Sequence, residues 1–242
     1  GQMTPAVRRG AGRLTLPLAE LAERPDLLEA CGPRLAVELP VFCAPQQEEP
    51  VMRTLRRLKE QGLTHALCGN LGALLMAREA GLEIIGDYGL NIINSPAARQ
   101  AAELGCGAIT LSFECERGAA KNIASPVPLG VIAYGHLPLM LLRNCPGKTA
   151  AGCGDCTGIN RITDRRGEDF PLQCERRRYT HLLNPRPLLL CDRLPEWDFC
   201  DFLTLRFTVE SPAECDEVLK MYQTGAAPVG QFTRGLYYRT LK

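Results

Sequence analysis

Between Leu35 and Gly105 the chain states one phrase three times: a short apolar run, a polar turn, a helical stretch and a closing glycine. The runs are Leu35–Phe42, His65–Cys68 and Glu83–Gly86. The helical stretches are Glu48–Gln61, Leu71–Ala80, and a third that starts at Pro96 under a Ser95 cap and reaches Leu104. Gly62, Gly81 and Gly105 are their stops. Glu48–Gln61 is the clearest amphipathic segment, with Val51, Leu55 and Leu58 on one side and Arg53, Arg56, Arg57, Lys59 and Glu60 on the other. A strand followed by a helical crossover returns parallel to itself, so this rhythm predicts a parallel sheet covered by helices.

The rhythm extends both ways. Arg13–Leu16 precedes it, followed by a helical stretch Leu18–Ala30 that Pro25 interrupts. Ala108–Phe113, Leu129–Tyr134, Pro187–Leu190 and Phe202–Val209 follow, and Ser211 caps a last helix, Pro212–Tyr222, that Gly225 stops. Eight strand candidates in 242 residues predict an α/β fold. Its form is a TIM-like (β/α)8 barrel, complete or incomplete, carrying a cysteine-rich β-hairpin insert. Residues 1–142 are then the first part of the barrel, 143–186 the insert and 187–242 the remainder.

Composition narrows the function classes. A net charge of +1 gives no whole-chain signal for a polyanionic partner. No apolar run approaches spanning length, so no membrane partner is expected. Twelve cysteines in a chain of this size, 45% of it hydrophobic, do not read as a secreted disulfide framework. Cys31, Cys43, Cys68, Cys106 and Cys115 lie in or beside apolar runs and read as small buried side chains. The expected compartment is reducing, hence cytoplasmic.

The segment Arg143–Cys174 breaks the alternation. It holds Cys145, Cys153, Cys156 and Cys174, with seven residues between the first two and seventeen between the last two. In a CxxC pair one tight turn aims both sulfurs at one ion, and Gly154 eases that turn. Two outer cysteines around it can close a four-thiolate site for zinc or for an iron–sulfur cluster. A redox CxxC, or four unlinked thiols, is the plainer alternative. Arg161–Thr163 and Phe170–Cys174 flank a turn at Asp164–Gly167, with Tyr179–Leu183 a third small strand. Residues 143–186 carry nine Lys/Arg and five Asp/Glu. Arg176, Arg177 and Arg178 follow Cys174 closely, as a contact for RNA phosphate, a counterweight to thiolates or a charged edge.

Ligands of parallel α/β folds gather beyond the C-terminal ends of the strands. Glu38, Asn70, Asp87, Asn91, Asn94, Glu114, Tyr134 and His136 fall there, and the cysteine segment leaves from the same end of Leu129–Tyr134. Asp87, Asn91, Glu114 and His136 are the candidate catalytic residues, with His136 the candidate for acid–base work. Ordinary loop hydrogen bonds are the alternative for each. Pro146–Thr149 is no P-loop, and no HExxH or triad signature is present.

Several of these stretches taken together resemble the collagenase-like peptidase family U-32. They are Tyr134–Met140 (YGHLPLM), Arg143–Pro146 (RNCP), the CxxC, Asp164–Gly167, Phe170-Pro171 and Cys174. Asp87–Asn91 (DYGLN) and Phe232–Tyr237 (FTRGLY) also look like that family. The resemblance runs from about Leu35 to the C-terminus and is to the C-terminal barrel portion of long members, whose N-terminal half would be a partner. The family name implies peptidase activity. Better understood relatives imply iron–sulfur proteins that support oxygen-independent hydroxylation of RNA bases or of a small aromatic quinone precursor. The resemblance then points to Cys145, Cys153, Cys156 and Cys174 as ligands of a four-iron four-sulfur cluster, with Cys191 or Cys215 as a substitute for one of them, and with zinc or an empty site as the alternatives in protein handled in air. A non-catalytic domain clipped by zinc is the remaining expectation.

Overall fold

The computed structural model describes residues 2–148, 153, 156, 158–228 and 230–239. Gly154 and Asp155 of the CxxC and Thr149 of the PGKT stretch lie outside the described residues. The chain divides into two compact units. One comprises Pro5–Ile132, Pro195–Thr204 and Gly235–Lys242; the other comprises Gly1–Thr4, Ala133–Leu194 and Leu205–Arg234.

The larger unit carries the repeated phrase. It runs α1 (Pro5–Gly10), β1 (Leu14–Pro17), α2 (Leu18–Glu23), α3 (Asp26–Cys31) and β2 (Leu35–Glu38). Then follow α4 (Pro45–Glu60), β3 (His65–Cys68), α5 (Leu71–Glu79), β4 (Glu83–Gly86), α6 (Ser95–Glu103), β5 (Cys106–Thr110) and α7 (Arg117–Lys121). β1 to β5 pair in parallel, strand by strand, in sequence order. Ala36, Leu67 and Ile85 form a buried cluster with Ala108 packed on it, one residue from each of four successive strands. Their strand neighbours Val37, Ala66 and Ile84 are buried too. Strands covered on both faces need such uninterrupted apolar runs.

α4 buries Val51, Met52, Leu55 and Leu58, the expected stripe plus one methionine. Burying each leucine is worth about 1.5–3 kcal/mol. Pro25 does break the second helical stretch into two, since it follows α2 and precedes α3. The cap of α6 is Asn94, not Ser95: its side chain accepts the Ala97 N–H at 2.9 Å. Asn70 caps α5 in the same way and also donates to the carbonyls of Pro40 and Val41, at 3.2 Å each. Two polar residues at strand ends are thereby spent on local structure.

β6 (Leu129–Gly135) is buried along its whole length. Gly130 is required there, because a Cβ would overlap the ring of Phe202. β6 continues the parallel order beyond β5. In the smaller unit β7 (Pro138–Leu142), β8 (Ile159–Thr163), β9 (Asp169–Glu175) and β10 (Tyr179–Leu183) make an antiparallel sheet in the order β7-β10-β9-β8. The cysteine-rich insert is thus a four-stranded sheet whose first strand lies ahead of residue 143. β11 (Leu188–Leu189), β12 (Phe202–Leu205) and α8 (Pro212–Thr224) complete the chain.

All eight expected strands belong to one sheet, β1-β2-β3-β4-β5-β6-β11, with β12 also pairing β6. β11 runs antiparallel to β6, contrary to a regular barrel. β10 returns antiparallel beside β7, so the chain comes back to the end of β6 that it left, and β11 re-enters antiparallel to β6. Among the described residues no pairing joins β1 to the other end of this order. The fold is therefore α/β, an incomplete TIM-like barrel with a small antiparallel sheet.

Candidate functional site

The antiparallel sheet places the cysteines through its turns. β8 and β9 meet at Asp164–Glu168, where Asp164 Oδ1 accepts the N–H groups of Arg166 (2.7 Å) and Glu168 (3.0 Å). β9 and β10 meet at Arg176 and Arg177, both left-handed, with φ of 47° and 62°. The Arg178 N–H closes that turn on the Glu175 carbonyl at 2.9 Å. Asn-Gly fills such a turn with least strain; two arginines cost about 1–2 kcal/mol each.

Strain of this kind persists where the surroundings hold it. Here the turn brings the Arg177 N–H to 3.3 Å from Cys174 Sγ. The Arg177 guanidinium donates to the Cys153 carbonyl at 2.9 Å. The Cys174 N–H donates to the Gly158 carbonyl at 2.7 Å, and the Gly158 N–H reaches Cys156 Sγ at 3.4 Å. Cys145 opens its own turn, its carbonyl accepting the Lys148 N–H at 3.1 Å. Cys145, Cys153 and Cys174 are half-buried and Cys156 is exposed. Backbone N–H groups thus point at two of the four sulfurs. The donor set therefore suits a thiophilic centre in its chemistry. Among the described residues, however, no group of three or more His, Cys, Asp or Glu side chains is gathered as a metal site.

The same unit holds His136, directly after β6. Its Nδ1 is 2.7 Å from the Asn184 carbonyl, which can only accept, so Nδ1 carries the proton. Its Nε2 lies 3.9 Å from Glu210 Oε1. Tyr134 lies beside the same carboxyl, and burial followed by the Glu210 charge pushes its phenol far up. Tyr134, Leu189, Cys191 and Val218 form the apolar floor beside this group. Glu210 carried no sequence signal: a single acid after a strand reads as solvated, and only its place between β12 and the Ser211 cap marked it.

Asp87, Asn91 and Glu114 belong to the larger unit. Asp87 is buried where β4 ends. Asn91 is left-handed at φ 54°, and its Oδ1 is 3.5 Å from Ser112 Oγ. The exposed Glu114 donates its N–H to the same Ser112 Oγ at 3.3 Å. Ser112, itself buried, thus links two of the three candidates. Of the five cysteines expected to be buried, four are, and Cys43 is half-buried. Burial pushes the Cys68 thiol far up and the Cys106 thiol up to about 11, which marks them as packing groups and not nucleophiles.

No curated protein matches the chain. Among solved structures, the U32 peptidase Mk0906 is similar at 17% identity and a TM-score of 0.41, over 55% of this chain and 64% of that one. A FabK (M276A) mutant from Thermotoga maritima is similar at 12% identity and a TM-score of 0.37, over 53% of this chain and 47% of that one. The chain therefore matches less than two thirds of the length of either. The family model of peptidase family U32 matches residues 1–223, and the chain belongs to that family.

Proposed function

We propose that Cys145, Cys153, Cys156 and Cys174 hold one four-iron four-sulfur cluster, and that the domain serves an oxygen-independent hydroxylation of RNA or of a small aromatic precursor. The observation that carries this reading is the pair of backbone N–H groups aimed at the sulfurs of Cys156 and Cys174, with Arg177 tied to Cys153. Buried packing thiols need no such donors. When bound, the cluster would supply one-electron transfer. The four thiolates would anchor it, and the N–H groups would draw charge from the sulfurs, which tunes a potential. Metal binding couples to folding of its site, so gathering of the four sulfurs would accompany binding. The exposed Arg178 would meet a polyanionic substrate, with salt-dependent affinity.

The test is anaerobic purification followed by iron, acid-labile sulfide and zinc analysis, on the wild-type chain and on Cys174→Ala. Four iron and four sulfide per chain, lost in the variant, is the expected result. Stoichiometric zinc without sulfide would make the site a structural clip and the domain a binding module. No metal under anaerobic reconstitution would reject the centre.

A further inference from the structure

Arg177 belongs to a basic triplet that reads in sequence as an RNA phosphate contact, a counterweight to thiolates or a charged edge, and it makes two contacts within the cysteine-bearing segment. Its N–H points at Cys174 Sγ, 3.3 Å away, and its Nη2 holds the Cys153 carbonyl at 2.9 Å. The left-handed φ of 62° belongs to the turn that brings the N–H back toward the sulfur three residues earlier. We propose that Arg177 is the positioning residue of the cysteine site: it holds Cys153 against the Cys174 turn. The inference rests on the thiolate reading above for its purpose, and on these contacts for its geometry.

The contacts form a continuous path. It runs from the Cys153 carbonyl through the Arg177 guanidinium and backbone to Cys174 Sγ. From the Cys174 N–H it continues through Gly158 to Cys156 Sγ. Three of the four cysteines are thereby tied to each other by one side chain and three backbone donors. A guanidinium has five donors in a planar fork, so it can hold a carbonyl and still offer positive charge to neighbouring thiolates. Lysine offers the charge without the fork.

The test uses the whole chain and three variants. Arg177→Gly keeps the N–H and relaxes the turn while deleting the guanidinium; Arg177→Lys keeps the charge; Arg178→Gly is the neighbouring control. In the first arm the metal-free protein is equilibrated with reduced and oxidised glutathione, and the Cys153–Cys174 disulfide is quantified by peptide mass spectrometry. Each disulfide consumes two thiols and one oxidised glutathione and releases two reduced glutathiones, so its equilibrium gives the effective concentration of the pair. Arg177→Gly should lower it about tenfold, as for one charge-assisted hydrogen bond at a solvated site. Arg177→Lys should recover part of the loss, and Arg178→Gly should match wild type. An unchanged value in Arg177→Gly overturns the positioning role.

In the second arm Co(II) affinity is measured by chelator competition. Arg177→Gly should bind about 10–100-fold more weakly, the usual scale for a group that orients ligands. Equal Co(II) affinity in the two proteins overturns the role toward the metal. If the wild type binds no Co(II), the metal reading itself fails, and the disulfide arm alone decides whether Arg177 positions the cysteines.

Discussion

His136 Nε2 and Glu210 Oε1 stand 3.9 Å apart, with their side chains 12% and 4% exposed. Glu210 Oε2 accepts the Thr208 N–H at 2.5 Å, while Oε1 and the Thr208 hydroxyl have no hydrogen-bond partner among the described residues. A carboxyl this deep is stabilised by few groups, so each counts. Glu214 is the second acid near the ring; it is held below the usual carboxylate range chiefly by the Ser211 backbone and hydroxyl, with His136 a smaller cause.

Glu210→Ala deprives the Thr208 N–H of its acceptor and removes the charge beside the Tyr134 phenol. The expected loss is about 1–3 kcal/mol in urea unfolding. Glu210→Gln keeps an acceptor for Thr208 and brings an amide donor toward His136 Nε2, so it should lose less. Equal stability of wild type and Glu210→Ala would mean that the carboxyl is solvated and the cluster is not packed as described.

Asp192 and Arg234 pair through both arms of the guanidinium, at 2.7 Å each, and Arg234 lies 4.6 Å over the Phe232 ring. The Arg234 hydrogen bonds are the main cause holding the Asp192 carboxyl below its usual range. The sign follows: stability from this pair is present above the ordinary carboxylate pKa of about 4 and is lost as pH falls through the lower folded value. Arg234→Gln should cost about 1 kcal/mol at pH 7, given the partial exposure of both groups. Its unfolding curve should converge on that of wild type below about pH 3. A constant gap at every pH would assign the cost to lost packing on Phe232.

Most of the barrel strands were legible because a parallel strand under helices must be apolar throughout, and Leu35–Glu38, His65–Cys68 and Glu83–Gly86 are nearly so. Strand direction was not: Pro187–Leu190 has the same composition as a parallel strand, and only the return of the insert to the end of β6 makes β11 antiparallel. The Asn94 cap was misplaced by one residue because Asn94 and Ser95 can both accept an N–H, and the backbone conformation decides between them. The site divides similarly. The Asp164–Gly167 turn was legible from its own residues, whereas the Arg177–Cys153 contact depends on a left-handed arginine that no spacing reveals.

Thiol reactivity should rank by environment. Cys156 is exposed and should be alkylated first by iodoacetamide at pH 8 in the metal-free native chain. Cys68, Cys106 and Cys215 should be last, since burial pushes the Cys68 thiol far up and the other two up to about 11. Folding favours their neutral form, so this contribution to stability is complete below the ordinary thiol pKa and is lost as pH rises toward 11. Peptide mass spectrometry over time gives the order. Labelling of Cys106 at the rate of Cys156 would show that the core around β4 and β5 opens readily.

Tyr237 tests whether the FTRGLY stretch belongs to the fold or is appended to it. Its ring is 1% exposed and meets the Trp197 ring edge-on at 4.7 Å between centroids. Its hydroxyl donates to the Ile132 carbonyl at 2.9 Å, and its own carbonyl accepts the Arg117 N–H at 2.9 Å. Tyr237→Phe removes one buried hydrogen bond and keeps the ring, so it should cost about 1 kcal/mol. Tyr237→Ala also opens a cavity beside Trp197 and should cost about 3–5 kcal/mol. Urea unfolding followed by Trp197 fluorescence, the chain's one tryptophan, reads both the stability and the local environment. A phenylalanine variant as weak as the alanine variant would place the whole contribution in the hydroxyl. A near-native alanine variant would show that the FTRGLY stretch adds little to the stability of the unit it packs in.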